Sequence, residues 1–168
     1  MKIKQRHFIK SSEIKDLKEK ICLQYDDYFI NQVFPSKARI EVIYTEAGDK
    51  LYAINGDLRL WQLEENYIPV LSFLLKGAVK IKTLVVDMGA IRFVTNGADI
   101  MRPGLRMIDP SIKKDDIVRI ADETHDKTLA VGKALYDAQD METMKKGKVV
   151  KNLHTIKDSV WEFAKEFK

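Results

Sequence analysis

Glycines and arginines are interleaved in residues 86–105 in a spacing that suits the binding of an anion. Gly89 and Gly97 bracket a segment long enough for one to two helical turns. Because glycine has no Cβ, its backbone can come close to a phosphate, and exposed amides at such turns can hold phosphate oxygens. Arg92 and Arg102 add positive charge beside them. The stretch is either a polyanion site or a glycine-rich barrel corner without a ligand, and on the residues alone the barrel corner is favoured.

The residue types that usually carry catalysis are scattered along the chain. His7, His125 and His154 are far apart, and none has a neighbour at metal-ligand spacing. Cys22 is the single cysteine, which excludes an internal disulfide framework and a cysteine-based zinc site. The sequence contains no P-loop, Rossmann glycine set or nucleophile elbow. We therefore predict a protein that is not an enzyme and that uses neither a metal nor a cofactor.

The first 77 residues predict a small α+β unit. Its expected elements are an edge strand in residues 1–10, helices from Ser11 and over Asp26–Phe34, strands over Arg39–Tyr44, Lys50–Ile54 and Leu58–Leu63, and a helix over Tyr67–Lys76. Asn55-Gly56 between two strands is a strong hairpin signal, because a type I′ turn needs positive φ at both central residues. The basic residues of positions 1–10 either protect a sheet edge or contact phosphate groups, and the edge is favoured.

From Lys80 onward the pattern is mainly that of short strands. The expected elements are a strand over Lys80–Asp87, a helix over Ala90–Thr95, an extended segment over Ile100–Ile108, strands over Asp116–Asp122 and Thr128–Leu135, a helix near Asp140–Lys145, and closing strands over Val149–Ile156 and Val160–Phe163. Closely spaced short strands indicate a small barrel. We therefore predict an α+β protein with an N-terminal domain over residues 1–77 and a C-terminal pseudo-β-barrel over residues 78–168.

The charge is modestly basic. The chain has 29 Lys and Arg residues against 25 Asp and Glu residues, a net charge of +4. A basic balance raises the odds of a polyanionic partner without identifying one. The N-terminus lacks the apolar segment of a signal peptide, and no apolar run is long enough to span a membrane. We expect a cytoplasmic protein without a membrane partner.

The glycine-punctuated stretch resembles the opening of a PUA domain, a family named after pseudouridine synthases and archaeosine transglycosylases. The family's pattern is a glycine-alanine step, a short helix, a second such step and Pro-Gly, matched here by Gly89-Ala90, Gly97-Ala98 and Pro103-Gly104. Ala130-Val131-Gly132 fits the family's strand that leads to an accessory residue facing RNA. Met88 departs from the pattern, because the family commonly has a charged residue at this position.

The resemblance extends over nearly the whole chain. Residues 39–76 look like the domain that precedes PUA in the malignant T-cell-amplified-sequence family of translation factors, and Val149–Trp161 looks like that family's ending. The chain is expected to be an archaeal member. The resemblance implies a non-catalytic factor that engages the small ribosomal subunit, its rRNA or the 3′ acceptor end of tRNA during translation initiation, re-initiation or recycling. Eukaryotic relatives work with a partner that carries a SUI1-type domain.

The resemblance and the charges around the motif together predict the residues that contact RNA. They are Gly89, Arg92, Asn96, Gly97, Ala98, Met101, Arg102, Lys133, His154 and Lys157. Trp161 and Phe163 either stack on a base or pack in the core, and core packing is favoured.

Two other functions compete with this prediction. In the first, the N-terminal unit is the binding part of a protein-interaction adaptor, with the barrel as its scaffold. Alternatively, the chain is an accessory subunit of an RNA-modification complex. A pseudouridine synthase itself is disfavoured, because its catalytic domain is much larger than residues 1–77.

Overall fold

The computed structural model describes residues 1–77 and 79–168, so Ala78, the first residue of the predicted C-terminal domain, lies outside the described residues. The chain divides into two compact units, one formed by Met1–Lys80 with Glu162–Lys168 and the other by Ile81–Trp161. Each unit contains its own sheet together with helices, which confirms the α+β class. Among the described residues, no helix has the length and apolar character needed to cross a membrane.

The first unit contains an antiparallel sheet in which neighbouring strands follow one another along the chain. Its elements are β1 (Ile3–Phe8), α1 (Ser11–Ile21), α2 (Asp27–Val33), β2 (Ile40–Thr45), β3 (Lys50–Ile54), β4 (Asp57–Leu63), β5 (Asn66–Pro69) and α3 (Leu71–Leu74). β1 lies at the edge with every residue exposed, which confirms the predicted edge strand. Asn55 and Gly56 have φ angles of 54° and 82° and join β3 to β4, as the hairpin signal indicated.

The predicted helix over Tyr67–Lys76 is wrong in its first half. Tyr67 pairs with Gln62 and Pro69 with Leu60, so the chain forms β5 before the short helix α3 begins. Pro69 tolerates this position because β5 is the outer strand of the sheet and Pro69 is its last residue. The apolar run therefore belongs to a strand and a helix in succession, which periodicity alone does not separate.

The second unit is the pseudo-barrel, a curved six-stranded sheet with the order β7-β11-β10-β9-β6-β8. Its elements are β6 (Thr83–Val86), α4 (Ile91–Thr95), β7 (Ile100–Met101), β8 (Leu105–Ile108), β9 (Ile117–Asp122), β10 (Thr128–Ala134), α5 (Ala138–Thr143), β11 (Lys148–Thr155) and α6 (Ser159–Glu166), which continues into the first unit. β6 runs parallel to β9, and the other pairs are antiparallel. Leu84, Ile112 and Ile120 are fully buried in the centre of this unit.

The predicted closing strand over Val160–Phe163 is also wrong, because these residues lie in α6. Asp158 begins the helix: its carboxylate accepts hydrogen bonds from the backbone amides of Thr155 (2.9 Å) and Trp161 (2.8 Å). An acidic residue that satisfies free amides at a helix start favours the helix over a strand. Phe163 is buried, in agreement with core packing rather than base stacking.

Candidate nucleic-acid interface

The segment that leads into α4 is fixed by Asp87. The Asp87 amide donates to the Gly104 carbonyl (2.9 Å), and the Asp87 carboxylate accepts a hydrogen bond from the Ala90 amide (2.9 Å). A 3-10 turn over Met88–Ala90 continues directly into α4. The predicted glycine-alanine step therefore starts a helix whose direction is set by the β6–β8 side of the barrel.

Gly89 is exposed, but carboxylates surround it. A Cβ at this position would lie 3.4 Å from Asp87 Oδ1, and the Met88 amide donates to Glu123 Oε1 (3.2 Å). Arg106 pairs with both acids, at 3.4 Å from Asp87 and 3.6 Å from Glu123. Two carboxylates with one shared arginine make a poor surrounding for a phosphate. Gly89 shapes this turn, and its neighbours do not favour an anion.

Gly97 ends α4 in a left-handed conformation with φ of 94°. Its amide donates to the Val94 carbonyl (3.0 Å), and the Ala98 amide donates to the Phe93 carbonyl (3.0 Å). This is the Schellman arrangement, in which the two residues after a helix satisfy its last carbonyls. The amides of Gly97 and Ala98, which were predicted to face RNA, are thus already engaged by the last carbonyls of α4.

Arg92 and Phe93 form the exposed face of α4. The Arg92 guanidinium lies 4.6 Å from the centroid of the Phe93 ring, which is 52% exposed. The Arg92 guanidinium has no hydrogen bond or ion pair to any described residue. The next residue, Val94, is buried and turns the opposite side of the helix into the core. α4 therefore presents a cation and an aromatic ring together to solvent.

A cavity of about 260 Å³ opens beside this face. Its lining is mainly apolar and comes from Val86, Ala90, Phe93, Val94, Ala98, Asp99, Ile100, Met101 and Gly104. The exposed side chains of Phe93 and Met101, 52% and 49% accessible, belong to this lining. A recess with aromatic, thioether and backbone walls can receive a flat ring, and the neighbouring Arg92 can contact a phosphate.

Asp99 is the one carboxylate that lines the cavity among the described residues, and it is paired. Lys148 Nζ lies 2.7 Å from its Oδ2, and the Asn152 amide donates to its Oδ1 (2.8 Å). Burial acts to raise the pKa of Asp99, but these hydrogen bonds outweigh burial and hold the pKa below its ordinary value. Asp99 is therefore ionised at neutral pH and serves to join β7 to β11.

Arg102 has a structural position. Its Nε donates to the Met141 carbonyl (2.6 Å), its Nη2 lies 4.0 Å from Glu142, and only 19% of its side chain is exposed. The guanidinium therefore holds the Arg102–Gly104 turn against α5. Arg102 was predicted to contact RNA, and the structure directs its guanidinium at backbone oxygen inside the unit.

His154 is likewise withdrawn from the surface. Its ring is fully buried on β11, and its Nδ1 lies 2.7 Å from Asp158 Oδ2. His154 was predicted to contact RNA, and its side chain has no accessible surface in the structure. Lys157, in the turn between β11 and α6, is exposed and has φ of 73°.

The remaining predicted residues differ in their surroundings. Asn96 is exposed at the end of α4. Lys133 on β10 has 30% of its side chain exposed, stands opposite Lys151 on β11, and has Nζ 3.9 Å from Asp115. The structure thus gathers Arg92, Asn96 and Met101 around α4 and the strand that follows it. It places Lys133 and Lys157 on other elements of the same unit.

The sequence did not predict a role for Phe93 or Asn152 at this site. Asn152 Nδ2 donates to the carbonyls of Val94 (3.0 Å) and Ala98 (2.9 Å), so it fixes the end of α4 to β11. Nothing in the sequence marks that contact, which joins residues more than fifty positions apart. Phe93 carried a signal: its neighbour Val94 fills the buried side of a two-turn helix, which leaves Phe93 and Arg92 outside.

Comparison with protein-family models assigns both units. Residues 1–77 match the Pre-PUA-like domain, and residues 82–156 match the PUA domain. An uncharacterised protein of Methanocaldococcus jannaschii is 33% identical over 97% of this chain and 99% of its own length. Translation machinery-associated protein 20 of Saccharomyces cerevisiae is 32% identical over 98% of this chain and 95% of its own. Malignant T-cell-amplified sequence 1 of Rattus norvegicus is 32% identical over 91% of this chain and 87% of its own length.

Solved structures show the same fold. A hypothetical protein of Pyrococcus horikoshii superimposes with a TM-score of 0.84 over 95% of this chain and 99% of its own, at 23% identity. A PUA-domain protein of Thermoplasma acidophilum gives a TM-score of 0.73 over 98% of this chain and 100% of its own, at 25% identity. The likeness covers both units, including the pseudo-barrel that carries α4 and its cavity.

Proposed function

This chain belongs to the family in which a Pre-PUA-like domain precedes a PUA domain, together with the malignant T-cell-amplified-sequence proteins, and from that membership we propose that it binds an unpaired RNA segment during translation. Membership of this family supports RNA binding and a role connected with translation. The finer proposal concerns the kind of RNA and the surface that meets it.

One observation carries the proposal: Phe93 and Arg92 are exposed side by side at an apolar cavity. Proteins recognise RNA ends and loops by stacking unpaired bases on aromatic side chains, and they read the open base edges. Phe93 offers a stacking surface, the cavity offers room for a ring, and Arg92 offers a charge for the adjoining phosphate. A duplex keeps its bases stacked within the helix, so this surface favours a single-stranded end.

The proposed contact surface is narrower than the predicted set. Arg92, Phe93, Asn96 and Met101 form its centre, and Lys133 and Lys157 supply further positive charge. Gly89, Gly97, Ala98, Arg102 and His154 support the shape of this unit, and RNA contacts are not assigned to their amides or side chains. For the domain boundary we keep 1–77 and 78–168 as the proposal.

We propose the 3′ acceptor end of tRNA as the RNA, with small-subunit rRNA as its competitor. The relative in Saccharomyces cerevisiae is named for its association with the translation machinery, which supports a partner in that machinery. The small ribosomal subunit and a SUI1-domain protein remain predictions from family resemblance. A non-catalytic role is part of the proposal, supported by a contact surface made of stacking and cationic groups.

The test is binding of the full chain to tRNA with and without its 3′-terminal CCA, at two salt concentrations. We expect removal of CCA to weaken binding, because the unpaired bases that would stack on Phe93 are lost. Affinity should also fall with added salt, as phosphate contacts release counterions. Equal affinity for both tRNAs would contradict the acceptor-end proposal, and a preference for a small-subunit rRNA fragment would replace it.

A further inference from the structure

The first unit contains a second cavity, of about 230 Å³, between α1 and one face of its sheet. We call it the tyrosine pocket and define it by Tyr44, Lys50, Tyr52, Gln62 and Tyr67, with His7 at its rim. The α1 wall is formed by Glu13, Asp16, Leu17 and Lys20. All of these residues lie in the first unit, so the pocket is separate from the α4 surface of the PUA domain.

Strand register places the polar and aromatic residues in one row. Tyr44 pairs with Lys50, Lys50 with Gln62, and Gln62 with Tyr67, so these four side chains share a face across β2, β3, β4 and β5. A sheet face beside a helix is normally filled with aliphatic side chains, as Ile43, Leu51 and Ile68 fill the other face here. The row therefore interrupts an apolar layer with groups able to bind a ligand.

The floor of the pocket is buried yet polar. Tyr52 and Tyr67 are each only 4% exposed, and the Tyr52 hydroxyl donates to Gln62 Oε1 (2.8 Å). Burial, followed by the neighbouring Tyr67, raises the pKa of Tyr52. Burial, followed by Glu65, raises the pKa of Tyr67. Both phenols are neutral at physiological pH, so the floor presents hydroxyl groups and ring surface.

The rim combines a stacked pair with a cation. The rings of His7 and Tyr44 lie 6.3 Å apart at an interplanar angle of 20°. Lys50 Nζ is 5.6 Å from the Tyr44 ring and 5.5 Å from the Tyr52 ring. Lys50 has no ion pair with any carboxylate of the described residues. The Lys50 ammonium therefore lies near two aromatic rings without an acidic partner, so its positive charge is available at the rim of the pocket.

The α1 wall contributes two carboxylates and one ammonium, from Glu13, Asp16 and Lys20. Asp16 and Lys20 are four residues apart on one helix face, a spacing at which opposite charges are neighbours. Glu13 accepts the Lys10 amide (2.9 Å) and so serves the start of α1. The pocket therefore has a Lys50 ammonium with no carboxylate of the described residues at ion-pair distance, one nearly parallel pair of rings and a neutral hydroxyl floor.

We propose that the tyrosine pocket binds a single nucleotide, with its base against the His7–Tyr44 pair and its phosphate against Lys50. A planar ring joined to an anion a few ångströms away matches the spacing of ring and ammonium here. The volume admits a ring system rather than a folded chain segment. The nucleotide comes either from RNA or from the free pool, and both sources share this chemistry.

Calorimetric titration of the full chain with ribonucleoside 5′-monophosphates tests the site, and inorganic phosphate serves as the ring-free probe. We expect saturable binding of at least one mononucleotide, at least about tenfold tighter than phosphate. Lys50→Gln should weaken it about tenfold, because a charge-assisted contact is lost. Tyr44→Ala, which removes the ring but not the charge, should weaken it similarly. Lys4→Gln, an exposed lysine of β1 outside the pocket, should change it less than about twofold.

Competition with a short single-stranded RNA identifies the source. Displacement of the mononucleotide by the oligonucleotide assigns the pocket to RNA, and undisturbed binding assigns it to the free nucleotide; either result supports the site. Absence of saturable nucleotide binding, or equal binding by wild type and Lys50→Gln, would overturn the proposal. Arg92→Glu leaves this pocket intact, so failure here is distinguishable from failure of the proposal for the PUA surface.

Discussion

Gly132 and Lys151 lie so close together that position 132 has no room for a side chain. A Cβ built on Gly132 would lie 2.7 Å from the Lys151 carbonyl oxygen and 2.5 Å from Val150 Cγ1. The pairing of β10 with β11 shifts at this point, which places Asn152 opposite Gly132. Close backbone approach at an irregularity is a frequent reason for glycine within a strand. This contact sets the strand that anchors the end of α4.

Gly132→Ala should therefore destabilise the protein. Contact with a backbone carbonyl cannot be relieved by a rotamer change, so we expect a loss of about 1–3 kcal/mol in the free energy of unfolding. Urea denaturation measures it. Gly104→Ala is the matched control, because its Cβ would meet Ala90 Cβ at an ordinary 3.6 Å. Equal stability of the two variants would contradict the importance of the close approach.

Asp158 links the buried His154 ring to the start of α6, and its ionisation should contribute to stability. Burial acts to raise the pKa of Asp158, but the hydrogen bonds from His154, Trp161 and Thr155 hold it below the ordinary value of 3.8. A lowered carboxylate pKa contributes stability that is present above pH about 4 and is lost as pH falls through the lowered pKa.

Asp158→Asn should consequently lower the free energy of unfolding at pH 7 by about 1–3 kcal/mol. It should also reduce the loss of stability of the protein between neutral and acidic pH. Denaturation curves at several pH values measure both effects. Asp140→Asn, at an exposed position on α5, should leave the pH dependence unchanged. A pH profile of Asp158→Asn that coincides with wild type would rule out this role.

Substitution of Arg102 should lower the stability of the fold, whereas substitution of Arg92 should leave that stability nearly unchanged. Arg102→Ala removes the hydrogen bond to the Met141 carbonyl, and we expect a loss of about 1–3 kcal/mol in the free energy of unfolding. Arg92→Ala removes an exposed side chain and should change stability by less than about 0.5 kcal/mol. Thermal and urea unfolding of both variants provide the comparison. A stable Arg102→Ala variant with impaired RNA binding would restore Arg102 to the contact surface.

Local signals in the sequence were sufficient for several elements. Asn55-Gly56 predicted its hairpin because the turn demands positive φ at both residues, and Gly97 marked the end of α4 for a similar reason. Val160–Phe163 failed because four residues of mixed polarity fit a strand as well as a helix. The deciding contact, the Asp158 carboxylate on the Thr155 and Trp161 amides, appears only when the chain is folded.

The site could be predicted from the sequence less completely than the fold. Arg92 and Arg102 are both near the motif, but one guanidinium faces solvent and the other points at the Met141 carbonyl. That difference depends on where α5 packs, and α5 is nearly forty residues further along. The amides of Gly97 and Ala98 likewise suggested an anion site until the helix carbonyls that they satisfy were in place.

The most direct test of the proposed RNA-binding surface is the affinity of the Arg92→Glu plus Phe93→Ala double variant for tRNA, compared with wild type at one fixed salt concentration. The single variant Lys113→Glu is the control, because it makes the same change in net charge at an exposed lysine outside the predicted contacts. We expect the double variant to bind at least about tenfold more weakly, from the loss of one stacking surface and one phosphate contact. The control should stay within about threefold of wild type. Wild-type affinity in a folded double variant would contradict the claim that α4 presents the RNA-binding surface.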